Sequence, residues 1–379
     1  MRRRLFLSGC ALLVSLSAIC ACKAQFQPIG ITRSENIHAN VNMASAGLLW
    51  NAEISVPGAS YLRVFFSNIH SEKAGSYRIR FLNSIGDILL ELSKQEFERL
   101  DYFVTREIPG SFAEIQVVVD EPHAGAALSF NVPETGFDAQ MPRLLSTPAS
   151  GSDLESINTF NSADRIRQTA EAIARLSIAR LDRDGLHKLY MCSGFMITSD
   201  LLVTNYHCIQ TSDDCIGTSA YFVRANDRGD LIEKMVGHCE ELIEAVYSLD
   251  IAVVRLGWAD PVNNIKVLSI AGRDVSSDEH LSLIGHPNGN ALEVSAKNCR
   301  VVSLEAPGLW SLNKTDFGHT CSTAEGSSGS PVINSNYEVI GLHHLGFDKS
   351  GRWASENRAV KASRFSKLID SVIETSKSH

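Results

Sequence analysis

Between residues 48 and 346 the apolar residues fall into short alternating runs, and that patterning leaves little choice of fold. LLWNAEISV (48–56), SYLRVFFSNI (60–69), SYRIRFLN (76–83), DILLELS (87–93), AEIQVVVD (113–120) and LSFNV (128–132) come first, parted by turn signals such as PGA and EKAGS. Period-two alternation over so few residues encodes strands, and strands this closely spaced without long helices encode a sandwich. After residue 165 the runs return in two groups. EAIARLSIARL (171–181), KLYMCSGFMIT (188–198), LLVTNYHCI (201–209), SAYFVRA (219–225) and DIAVVRL (250–256) form one. KVLSI (266–270), HLSLIGHP (280–287), AKNCRVVSLE (296–305), PVIN (331–334) and EVIGLHHLG (338–346) form the other. Helical spacing closes the chain, with Phe365, Leu368, Ile369 and Ile373 on one face. The expectation is an all-β protein: an N-terminal β-sandwich (25–132) as an accessory or pro-domain, a Pro/Ser/Gly-rich linker (133–165), and a double β-barrel with a C-terminal helix (166–379).

The first residues, MRRRLFLSGCALLVSLSAICACKAQ, set three arginines before an apolar run, the layout of a secretory signal over residues 1–21. ICAC (19–22) resembles a bacterial lipobox, which would lipidate Cys22 and attach the chain to a membrane. Plain cleavage after Ala21 or Ala24, giving a soluble exported protein, is the alternative. A net charge of −8, with no basic cluster beyond that N-terminus, argues against a nucleic-acid partner. Of the nine cysteines, Cys10, Cys20 and Cys22 belong to the signal region. The other six are Cys192, Cys208, Cys215, Cys239, Cys299 and Cys321, an even set that suggests three disulfides in an oxidising compartment. With no CxxC pair, a zinc site is the weaker reading.

AEGSSGSPVI (324–333) reads in isolation as a flexible connector or as a nucleophile held on a tight turn. A serine hydroxyl is a poor nucleophile near neutral pH, so Ser328 needs a base within hydrogen-bond reach. His207, in VTNYHC at the end of an apolar strand, is the candidate base. A base of this kind needs an acid to fix its tautomer. Asp250, in SLDIAVVRL, opens an otherwise apolar strand and has that character. Asp213 and Asp214 lie nearer to His207 in sequence but in a polar loop. Taken singly, each of the three residues has an ordinary structural reading.

The order His207, Asp250, Ser328 is that of the chymotrypsin lineage among unrelated triads. CSGFMIT–LLVTNYHC, LDIAVVRL and GSSGSPVI resemble, in order, the triad segments of trypsin-like serine peptidases of the chymotrypsin fold, nearest to the bacterial glutamyl and lysyl endopeptidase branches. The resemblance covers about residues 170 to 375. It implies an exported serine endopeptidase acting on proteins or peptides through an acyl-enzyme, with no metal and no organic cofactor. Ser328 would be the nucleophile, His207 the base and then acid, and Asp250 the orienting carboxylate. The amides of Gly326 and Ser328 would form the oxyanion hole. Thr323 and His343 match residues that bind the substrate carboxylate in glutamyl endopeptidases, implying a preference for Glu before the scissile bond. Of the adjacent pair His343 and His344, the opposing reading puts one in the pocket wall and one packed outward. Where trypsin carries its selecting aspartate this chain has Ser322, and before the nucleophile it has Ser327 rather than an aspartate. The family's bridge beside the catalytic histidine implies Cys192–Cys208. Cys215–Cys239 and Cys299–Cys321 are the expected remainder among fifteen formal connectivities of six cysteines. The competing reading is a cell-envelope binding protein whose peptidase barrel has degenerated.

Overall fold

The computed structural model describes residues 28–98, 102–138, 153–183, 185–226, 228–258, 262, 264–310, 313–346 and 356–377. The signal peptide and Cys22 lie outside the described residues. The fold is all-β with a C-terminal helix, as expected. In the N-terminal sandwich one sheet carries Gly47–Ser55, Phe112–Val119, Tyr77–Leu82 and Ile88–Ser93 in that spatial order. Along Phe112–Val119 the alternate residues Ala113, Ile115, Val117 and Val119 are buried, which is how a half-buried strand resolves a period-two pattern. The facing sheet carries Gly30–Asn42, Ala127–Asp138, Tyr61–Glu72 and Tyr102–Val104. Between the layers Phe66, Phe81, Phe97 and Phe130 interlock edge to face with centroids 5.0 to 6.1 Å apart.

Six strands close the first barrel: Ile173–Leu181, Thr218–Ala225, Leu231–Val246, Ile251–Trp258, Leu201–Thr204 and His187–Met196, the last pairing back onto the first. The second runs Ser282–Gly285, Pro331–Ile333, Val339–Leu345, Asn357–Lys361, Asp316–His319 and Val301–Ala306. A bridge between His280 and Arg300 returns it on itself. One core spans both barrels, packing Phe195, Val203, Ile284 and Leu342 with Phe365 and Ile369 of the helix Ala362–Ser376. Cys192–Cys208, Cys215–Cys239 and Cys299–Cys321 are all formed, with Cα separations of 6.3, 5.1 and 4.0 Å.

Two features depart from the picture of separate units on a loose tether. Strand Ala127–Asp138 continues into the segment read as linker, and at its other end Leu154–Ser156 pairs with Glu293–Ser295 of the second barrel. The sandwich and the first barrel also share a sheet: Gly30 and Ile31 pair with Leu189 and Lys188, and the Ile29 amide donates to the Leu189 carbonyl at 2.8 Å. Phe65 and Val104 from the sandwich bury themselves against Ala179 and Leu189 from the barrel. Both faces of Ile173–Leu181 are consequently covered along most of its length.

Candidate active site

Strand Leu201–Thr204 ends in a turn that carries His207, and the short 3-10 segment Tyr247–Leu249 delivers Asp250 at the head of Ile251–Trp258. The two residues meet twice. The Asp250 carboxylate accepts the His207 backbone N–H at 2.9 Å through Oδ1, and its Oδ2 lies 2.8 Å from His207 Nδ1. An ionised carboxylate only accepts, so Nδ1 carries a proton and donates it to Oδ2. Asp250 is 1% exposed. Burial raises a carboxyl's pKa, but His207 and then His344 outweigh it and hold Asp250 well below the ordinary carboxylate range. Asp250 also sits in left-handed backbone (φ 49°, ψ 44°), where it is capped by the Asn205 side chain donating to its carbonyl at 2.9 Å. Aspartate tolerates that region better than most residues, at some cost in strain of the kind found at functional sites.

Ser328 lies half-buried on a turn whose flanking glycines both need positive φ, 86° at Gly326 and 85° at Gly329. A side chain at Gly326 would come within 2.6 Å of the His286 carbonyl, and one at Gly329 would overlap the Ser193 carbonyl and the Thr204 hydroxyl. The Ser327 amide donates to Ala324 O at 3.0 Å and the Gly329 amide to His343 O at 2.9 Å. Among the described residues the amides of Gly326 and Ser328 donate to no backbone carbonyl.

Ser193 ties this turn to the histidine and carried no signal in the sequence. Its amide donates to Ser328 O at 2.7 Å, and its hydroxyl donates to Gly326 O at 2.9 Å. The neighbouring Cys192 is bridged to Cys208, the residue after His207. Hydrogen bonds and a disulfide thus link Ser328 to His207 through two adjacent residues of a single strand. Cys192, His207 and Cys208 also form a tight cluster of the kind that binds metals, but both sulfurs are spent in the disulfide.

His343 and His344 both point into the interior, 2% and 3% exposed, because the strand Val339–Leu345 is buried on both faces. Outward packing is corrected for both. His343 stands 3.2 Å from His319, Nδ1 to Nε2, and burial, His319 and His344 drive its pKa far down, leaving it neutral. His344 instead lies between two acids, with Nδ1 3.0 Å from Asp250 Oδ2 and Nε2 2.8 Å from Asp316 Oδ2. Burial opposes its charge, but Asp316 and then Asp250 prevail and push its pKa up to about 10. Thr323 is half-buried on the segment before the nucleophile turn. Ser322 accepts from the Asp153 amide at 3.2 Å, so a carboxylate from the former linker stands beside the trypsin-selecting position. The Asp153 carboxylate, 8% exposed, is engaged by the Ser295 hydroxyl at 2.7 Å and the Asn298 amide at 2.9 Å.

The paired antiparallel barrels and the helix that follows them give a chymotrypsin-like fold. Residues 192–342 match the trypsin-like peptidase domain family. A probable periplasmic serine endoprotease, DegP-like, from Pseudomonas fulva (strain 12-X) is 29% identical over 176 residues, 45% of this chain and 32% of that protein. Its counterpart from Hahella chejuensis (strain KCTC 2396) is 29% identical over 171 residues, 44% of this chain and 32% of that one. The crystal structure of the serine endoprotease from Yersinia pestis aligns at 18% identity and a TM-score of 0.39, over 57% of this chain and 67% of that chain. The chain spans about a third of the length of the curated relatives it matches.

Proposed function

We propose that this chain is an exported serine endopeptidase that cleaves proteins or peptides through an acyl-enzyme on Ser328. The observation that carries the reading is the double hold of Asp250 on His207, which leaves Nε2 as a base on the same framework as the Ser328 turn. In this cycle Ser328 Oγ attacks the scissile carbonyl and yields its proton to His207 Nε2. The Gly326 and Ser328 amides receive the oxyanion, and the imidazolium protonates the departing amine. Water then repeats the sequence to release the acid. Export is supported by the arginine-led apolar N-terminus and by the periplasmic designation of the relatives.

The same reading gives the substrate pocket a preference for acidic side chains. Ser322 supplies no charge, and the buried, neutral His343 and the half-buried Thr323 hydroxyl each offer a donor suited to a carboxylate. Profiling cleavage of a mixed peptide library should show cuts after Glu that fall about 10- to 100-fold in His343→Ala, the worth of a charge-assisted hydrogen bond. Cuts after Lys or Arg that ignore this change would shift the selecting role to Asp153. Failure of the wild type to cut any bond would overturn the endopeptidase reading.

The N-terminal sandwich is proposed as a retained accessory domain rather than a shed prosegment. Buried Arg63 donates to the Thr105 carbonyl at 2.9 Å within the sandwich and to the Ser177 carbonyl at 3.1 Å in the barrel. Arg175 of the barrel makes a two-pronged pair with Glu107 of the sandwich at 3.0 and 2.9 Å. Parting the two would break these buried contacts and expose the packed faces of Phe65, Val104, Ala179 and Leu189 to water. With a specific protease site inserted between residues 139 and 152, the nicked halves should co-elute on gel filtration. Separation into two folded pieces, with the barrel still active, would contradict retention.

A further inference from the structure

The acid of the proposed triad is itself held by a second histidine, one the triad does not use. His344 reaches Asp250 with Nδ1 at 3.0 Å and Asp316 with Nε2 at 2.8 Å, and all three side chains are at most 1% exposed. A neutral imidazole has one N–H and one lone pair. Between two carboxylate oxygens it would have to aim that lone pair at one of them, a repulsion unrelieved by water in so buried a place. With both carboxylates ionised, the two contacts are satisfied together only by an imidazolium that donates from each nitrogen.

Resting on the peptidase reading above, we infer that His344, kept cationic between Asp250 and Asp316, is a positioning residue that clamps Asp250 in the orientation in which it holds His207. Asp250 Oδ2 receives His207 and His344 together, so the two imidazoles compete for one negative charge. A fixed cation on the far side of Asp250 holds Oδ2 in place between the two rings. The other groups against this line are neutral or already engaged. His343 and His319 are uncharged because burial drives their protons off, His319 down to about 3. The Thr315 hydroxyl donates to Asp316 Oδ1 at 2.8 Å, steadying the second carboxylate.

The test removes the charge in two ways, with Asp316→Asn and with His344→Gln, in the full chain. In both, kcat should fall about ten-fold with KM nearly unchanged, because the acid that orients the base is no longer held. A residue that only filled space would lower stability in His344→Gln and leave Asp316→Asn at the wild-type rate. An unchanged kcat in both folded variants would overturn the inference. A readout independent of turnover is the 15N imidazole spectrum: His344 should keep both N–H protons from pH 6 to 9 in the wild type and lose one near neutrality in Asp316→Asn. Titration of His344 near 6.5 in the wild type would also overturn it, even with peptidase activity intact. If instead the wild type shows the doubly protonated ring yet hydrolyses nothing, the endopeptidase reading fails and the clamp stands.

Discussion

Ser328→Ala should lower kcat/KM for peptide hydrolysis by about 10⁴- to 10⁶-fold while leaving the fold intact. The fold should survive because the contacts that shape the turn are backbone contacts. Ser193 holds the Ser328 carbonyl, Gly329 holds the His343 carbonyl, and neither depends on the lost hydroxyl. The residual rate would come from the oxyanion donors and from substrate binding, which the substitution leaves in place. Initial rates on a peptide found by library profiling, with circular dichroism and thiol counting as fold controls, make the comparison. Retention of a tenth of the activity would remove Ser328 from the chemistry.

Asp250→Asn carries the second large effect, about 10⁴-fold in kcat. Asparagine fits the volume and tolerates the left-handed backbone at φ 49°, so the geometry should persist. The loss comes from the proton. An amide turned to donate toward Nδ1 makes that nitrogen an acceptor and moves the ring proton to Nε2, where it faces the nucleophile instead of receiving from it. The change also strips His344 of one of its two carboxylates. Rates measured on folded variant across pH 6 to 10 check this, since a tautomer fault cannot be rescued by deprotonation within that range. Recovery of wild-type rate at high pH would contradict the assignment.

The barrels and the terminal helix were legible because each leaves a local mark, and the marks that single out the three candidate residues are local as well. Alternation marks a strand, a lone carboxylate opening an apolar run marks a constrained acid, and glycines around a serine mark a strained turn. The cysteine pairs were partly legible, since an even number within one half of the chain limits the partners without choosing among them. What stayed dark is set by distant partners. Gly30 and Ile31 join Leu189 and Lys188 across most of the first half of the chain, and nothing in either segment advertises the other. Ser193 looks like any small residue on a strand until its hydroxyl and amide are seen to hold the 326–328 turn. His344 was visible only as half of an HH pair. Its role depends on Asp250 and Asp316, which arrive from two other strands. Asp153 sat in a stretch whose composition reads as linker, and its burial beside Ser322 comes from pairing of the next residues with Glu293–Ser295.

In the proposed mechanism the Ser328 alcohol is made reactive by a ring that one buried acid orients. Treating the purified chain with a fluorophosphonate and mapping the adduct by peptide mass spectrometry tests this most directly. The expected result is a single phosphonylated peptide carrying the mass on Ser328, absent after denaturation before labelling and formed far more slowly in Asp250→Asn. Label spread over other serines, or none on Ser328 in the folded chain, would contradict it.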